Sequence, residues 1–194
     1  GGAASRATAE NNIQVKSKGH IKLRNMKTVI SKSGQLVAVS RSGELVVHDP
    51  KGGEREQYKV PYGAILAVQD DQLVEAGFEV ARWEPHTHPI ITEISGKIQY
   101  VNLIEGVTVT HQADEVTGLV TVVVIPAKQK ATTSKEQRPM IRLLDDQQNP
   151  VCLPGSKVPA QYFLPVGTVI NHVDGASVDV GDVLARIPQE TTKT

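Results

Sequence analysis

Tyr58 to Glu84 reads YKVPYGAILAVQDDQLVEAGFEVARWE, and Tyr162 to Pro188 reads YFLPVGTVINHVDGASVDVGDVLARIP. The two stretches align without a gap at a constant offset of 104. Eight positions are identical: Tyr58/Tyr162, Pro61/Pro165, Gly63/Gly167, Asp70/Asp174, Val74/Val178, Gly77/Gly181, Ala81/Ala185 and Arg82/Arg186. Average residue usage gives roughly one or two matches by chance over such a length. The matched positions also carry turn chemistry. Proline followed two residues later by glycine makes a tight turn leading into a strand. Asp70-Asp71 in one copy and Asp174-Gly175 in the other mark a turn, and Asp-Gly is a favoured hairpin pair. Gly77 and Gly181 mark a second turn, and Val80-Ala81 and Leu184-Ala185 close the unit as a short apolar strand. Such self-similarity predicts one fold present twice.

The repeat extends upstream in weaker form. Gly19-His20-Ile21-Lys22-Leu23-Arg24-Asn25-Met26 resembles Gly96-Lys97-Ile98-Gln99-Tyr100-Val101-Asn102-Leu103 at an offset of 77. The second copy therefore carries 27 more residues, and the segment around 127–138 is the natural place for much of them. Apolar periodicity is mostly two. Ile13-Gln14-Val15-Lys16 and His20 to Arg24 alternate, and Gln35 to Val39, Glu44 to Val47 and Leu119 to Ile125 are rich in β-branched residues. Turn clusters such as Lys32-Ser33-Gly34 and Arg41-Ser42-Gly43 recur about every ten residues. The expected class is all-β, a sandwich or barrel in each half. The halves divide near Pro85 to Pro89, giving domains over 13–88 and 89–188 with flanks at 1–12 and 189–194. Only Ala3 to Glu10 is alanine-rich enough for a helix.

Lysine plus arginine number 21 and aspartate plus glutamate 21, a balance that argues against binding nucleic acid mainly through phosphates. Lys128, Lys130, Lys135 and Arg138 nevertheless give the 127–138 loop mild basic character, so a macromolecular contact there is a secondary reading. The single cysteine, Cys152, cannot form an intrachain disulfide and is expected as a buried thiol within Val151-Cys152-Leu153. The first residues lack the apolar core of a signal peptide. Apolar runs such as Val122 to Pro126 are far below membrane-spanning length, so a cytoplasmic protein without membrane contact is expected.

Taken together, VPYGAILAVQDDQLVEAGFEVARWEPHTHPIITEISGKI, PAQYFLPVGTVI and GDVLARIPQE resemble the insertion carried in the trigger loop of the β′ subunit of proteobacterial RNA polymerases. The resemblance covers essentially the whole chain. Gly1, Gly2, Ala3 and Arg6 look like the end of the first trigger-loop arm, and Ile187, Pro188 and Gln189 like the return toward the second. It implies two tandem sandwich–barrel hybrid motif domains. It also implies contacts with other parts of β′ and β and with transcription factors, and an influence on nucleotide addition, pausing and transcript cleavage. In that family the catalytic and nucleotide-contacting residues lie elsewhere, as do the Mg²⁺ and Zn²⁺ of the parent polymerase. No catalytic, cofactor or metal residue is therefore expected in this chain.

The remaining constellations read the same way. His86 and His88 would share a face on a strand, but no third ligand can be named. Met26-Lys27 is similar to the dipeptide of biotin and lipoyl carrier domains, which makes a barrel-like carrier module the alternative reading. Its flanks, Arg24 and Thr28-Val29-Ile30, look like strand rather than an exposed turn, and the second copy has no lysine there. Neither a Gly-x-Ser-x-Gly elbow nor a phosphate loop occurs. Arg82 and Arg186 match between copies and are candidate interface residues, as is Trp83, the only tryptophan, expected to pack at the domain junction.

Overall fold

Alternating apolar residues and frequent turn glycines dictate strands throughout, and no described residue lies in a helix. The computed structural model describes residues 11–113, 115–126 and 138–189. The segment expected as an N-terminal helix, most of the 127–138 loop and the last five residues lie outside them. The chain divides into two compact units, Gly1–His88 and Pro89–Thr194.

The first unit contains nine strands among its described residues: β1 (Asn12–Gln14), β2 (Gly19–Arg24), β3 (Thr28–Ile30), β4 (Leu36–Ala38), β5 (Glu44–His48), β6 (Glu54–Lys59), β7 (Ile65–Leu66), β8 (Leu73–Val74) and β9 (Glu79–Arg82). They form a five-stranded sheet in the order β1-β9-β7-β4-β3 and a four-stranded sheet in the order β6-β5-β2-β8. β10 (Thr87–Ile91) runs across the division, and the second unit continues with β11 (Gly96–Val101), β12 (Val109–Ala113), β13 (Val120–Val124), β14 (Met140–Leu144), β15 (Gln161–Phe163), β16 (Val169–Ile170), β17 (Ser177–Val178) and β18 (Val183–Pro188). Its sheets run β10-β18-β16-β13-β12 and β15-β14-β11-β17, the same two orders with each strand number advanced by nine. The fold is all-β, of sandwich–barrel type, built twice.

The identities of the repeat have structural causes. Gly63 and Gly167 hold φ of 92° and 95°, and Gly77 and Gly181 hold 90° and 88°, a left-handed conformation that costs glycine little. Gly63 N–H donates to Ala38 O at 2.7 Å, and Gly167 N–H to Val124 O at 2.8 Å. Asp70 Oδ1 accepts from Leu23 N–H at 2.8 Å, and Asp174 Oδ1 accepts from Tyr100 N–H at 2.9 Å. Both aspartates thus occupy a main-chain donor of the central strand beyond its short antiparallel partner, β8 or β17. Each unit has its own core: Ile21, Leu45, Val47 and Val80 in the first, and Ile98, Ile141, Leu143 and Leu184 in the second.

Strand registers show where the second copy grows. Leu23 and Tyr100 correspond at an offset of 77, and both are flanked by matched pairs, Leu23↔Leu45 and Tyr100↔Ile141. The offset rises to 81 at Thr28/Val109, 86 at Ala38/Val124, 96 at Leu45/Ile141 and 104 at Tyr58/Tyr162. The 27 extra residues therefore enter in four places, and only ten fall between β13 and β14. Five lengthen the β12–β13 hairpin, which pairs from Val109↔Val124 out to Ala113↔Val120, whereas β3–β4 stops at Ile30↔Leu36.

Gly19 and Gly96 open the central strands β2 and β11. A Cβ on Gly19 would collide with the His48 carbonyl oxygen and lie 2.8 Å from Val47 Cγ1. On Gly96 it would lie 3.1 Å from Leu144 O. Gly19→Ala is expected to cost about 1–3 kcal/mol by overpacking against backbone, and Gly96→Ala less. Thermal unfolding of both variants checks the order.

Candidate interaction surfaces

Cys152 corrects the sequence expectation: its thiol is exposed. Val151 and Leu153 pack against the second core, so period-two alternation turns the residue between them outward. Trp83 packs against the core of the first unit, and its main-chain N–H donates to Asn11 O at 2.9 Å.

Arg82 in β9 and Arg186 in β18 occupy one register position, opposite Ile65 and Val169 respectively. Both side chains are exposed, and neither makes an ion pair or side-chain hydrogen bond among the described residues. Arg82 stands at the rim of an open groove of about 500 Å³, whose apolar lining includes Leu36, Leu66 and Ala81. Arg138 lies with its guanidinium carbon 4.6 Å from the centroid of the Phe163 ring. Lys128, Lys130 and Lys135 lie outside the described residues, as do the junction residues Gly1, Gly2, Ala3 and Arg6. Ile187 and Pro188 end β18, and Gln189 follows it, exposed.

The histidine pair does not make a metal centre in the described residues. Among them no group of three or more histidine, cysteine or acidic side chains is placed to hold a metal ion. His86 precedes β10 and His88 lies within it, both exposed. Lys27 lies in the connection between β2 and β3, strands of different sheets. Its N–H donates to Ser40 Oγ at 3.2 Å and its carbonyl accepts from Val39 N–H at 2.8 Å. That main-chain pairing sets it apart from a lysine displayed at a hairpin tip. No helix among the described residues is long and apolar enough to cross a membrane.

The titratable groups with displaced pKa values are structural. Burial pushes the Tyr100 hydroxyl up to about 12, with the negative charge of Asp174 adding to it. That hydroxyl donates to His172 O at 2.6 Å. Tyr58 is likewise pushed up to about 12 by burial and by its hydrogen bond to Glu56. A folded pKa above the unfolded value of about 10 contributes stability that is complete below pH 10 and is lost as pH rises through 12. Stability is therefore expected to fall between roughly pH 10 and 12, and Tyr100→Phe to flatten part of that fall. Urea midpoints across that range test it.

No protein-family model matches the chain. Curated relatives match over all 194 residues: the DNA-directed RNA polymerase subunit beta′ of Coxiella burnetii (strain Dugway 5J108-111) at 60% identity, and that of Shewanella baltica (strain OS185) at 55%. The chain is homologous along its whole length to a segment of the bacterial RNA polymerase β′ subunit. It spans 14% of the length of those relatives. The same subunit of Shewanella amazonensis matches at 54% identity, again over the full chain. The matched residues thus comprise two compact units, all-β among their described residues.

Proposed function

We propose that this β′ segment is a regulatory insertion in the trigger loop of a bacterial RNA polymerase. The observation that carries the reading is the full-length match to a subunit of which the chain forms 14%. The likeness of Gly1, Gly2, Ala3 and Arg6 and of Ile187, Pro188 and Gln189 to the two trigger-loop arms supports the location. In this reading 13–88 and 89–188 are two sandwich–barrel hybrid domains, and the flanks at 1–12 and 189–194 join them to the arms. The segment works in the cytoplasm as part of a nucleoid-associated polymerase. Its partners are other surfaces of β′ and β, and transcription factors.

The mechanism is mechanical. The trigger loop folds against the incoming nucleotide, and a mass carried in the loop moves with it. Contacts that favour one position of the insertion bias the loop between open and folded states. A differential contact energy of about 1.4 kcal/mol changes that ratio tenfold. The segment's own residues supply no step of phosphoryl transfer. Excising it from the polymerase and rejoining the loop is expected to change pause lifetimes and transcript cleavage while the core enzyme still assembles. Unchanged elongation, pausing and cleavage would sink the proposal.

A further inference from the structure

We infer that the outer face of the β15-β14-β11-β17 sheet is a docking surface for a partner-protein segment that carries apolar side chains next to carboxylates. The argument comes from comparing two copies of one fold. In each unit the four-stranded sheet has a core row, Tyr58–Leu45–Leu23 in the first and Tyr162–Ile141–Tyr100 in the second. One residue further along each strand, the side chains point to the opposite face. In the first unit this outward row is Lys59–Glu44–Arg24. In the second it is Phe163–Met140–Val101. The fold evidently accepts a fully charged row at this place, so the apolar row is not needed to build the sheet.

The charges differ in the same sense. On the first unit most are paired internally: Arg24 pairs with Glu54, Gln57 donates to Glu44, and Lys22 pairs with Asp71. On the second unit, Arg142 replaces the buried Val46 and faces Gln161 and Gln99 across the sheet. Among the described residues Arg142 makes no ion pair, and its Nε is buried without a hydrogen-bond partner. Arg138 stacks on Phe163, which is 49% exposed, and has no carboxylate partner among the described residues. The unpartnered Nε of Arg142 and the guanidinium of Arg138, beside a row made of exposed Phe163 and half-buried Met140 and Val101, complement a segment that is apolar and acidic. Edge strand β15 is also free of the charged side chains that guard β6, so the bound segment can lie along it as an added strand. One exposed aromatic ring and a balanced net charge fit such a peptide better than a nucleic-acid strand, which calls for several stacking rings and a basic excess.

The test uses the ¹⁵N-labelled 194-residue chain and a short synthetic peptide of alternating glutamate and leucine. The peptide is expected to shift the amide signals of Val101, Met140 and Phe163. Its glutamine–leucine counterpart should bind about tenfold more weakly. Replacing the row by that of the first unit (Val101→Arg, Met140→Glu, Phe163→Lys) should abolish the shifts while leaving signal dispersion intact, because the same row already folds in the other copy. Arg142→Gln provides a milder variant and should weaken binding without removing it. The inference is overturned if no shift occurs at these amides or if both peptides bind alike. It is equally overturned if an oligothymidylate shifts the same signals more strongly, or if they move with chain concentration alone, which would mark a second copy as the occupant.

Discussion

Replacing Leu45 with alanine is expected to destabilise the first unit by about 2–5 kcal/mol. Leu45 is fully buried on β5, between Leu23 on β2 and Tyr58 on β6. It belongs to the cluster that includes Ile21, Val47 and Val80, so truncation leaves a cavity that three strands enclose. Hydrogen-bonded neighbours on both sides limit how far those strands can collapse inward, which pushes the cost toward the upper part of the range. Ile141 is the matching residue of the second copy, also fully buried, between Tyr100 and Tyr162. Ile141→Ala should therefore cost a similar amount. Denaturant unfolding of both variants checks the pair. A loss below about 1 kcal/mol at either position would mean that the two central strands do not carry equivalent cores.

Much of this architecture is legible in the sequence because its turns are chemically explicit. Pro61 to Arg82 and Pro165 to Arg186 share turn residues whose φ angles the structure places in the left-handed region at Gly63, Gly77, Gly167 and Gly181. The role of Asp70 and Asp174 is only half legible. Asp-Gly chemistry announces the turn, but the hydrogen bond back to Leu23 or Tyr100 spans 47 or 74 residues and depends on strand pairing. The distribution of the extra residues is hidden for a related reason. Insertions of four, five, ten and eight residues shift the register between β2 and β6 in steps, so no single offset aligns the middle of the two copies.

The candidate surfaces are less legible still. Cys152 sits in an apolar run, and only its alternation with Val151 and Leu153 shows that it faces solvent. Arg82 and Arg186 are visible as identities, but their lack of ionic partners among the described residues is a property of the folded chain. The Phe163–Met140–Val101 row joins residues from three strands, and its charged counterpart surfaces only when β5 is matched with β14 at an offset of 96. In the sequence Arg138 stands out only for its charge within a basic loop, whereas its stacking on Phe163 follows from the β14–β15 pairing.

The regulatory reading rests on coupling between the segment and the trigger loop, and coupling can be isolated by a double perturbation. Excision alone is expected to change pause lifetimes by up to about tenfold, since a bias of about 1.4 kcal/mol on a two-state loop gives that ratio. An engineered disulfide that locks the trigger loop in its open state removes the equilibrium on which the bias acts. The deciding measurement is the pause lifetime and nucleotide-addition rate of four polymerases: intact, excised, locked, and locked with excision. If the segment acts through trigger-loop folding, excision changes the free enzyme and leaves the locked enzyme unaltered. If excision has the same effect in the locked enzyme as in the free one, the segment acts by another route and the central claim is contradicted.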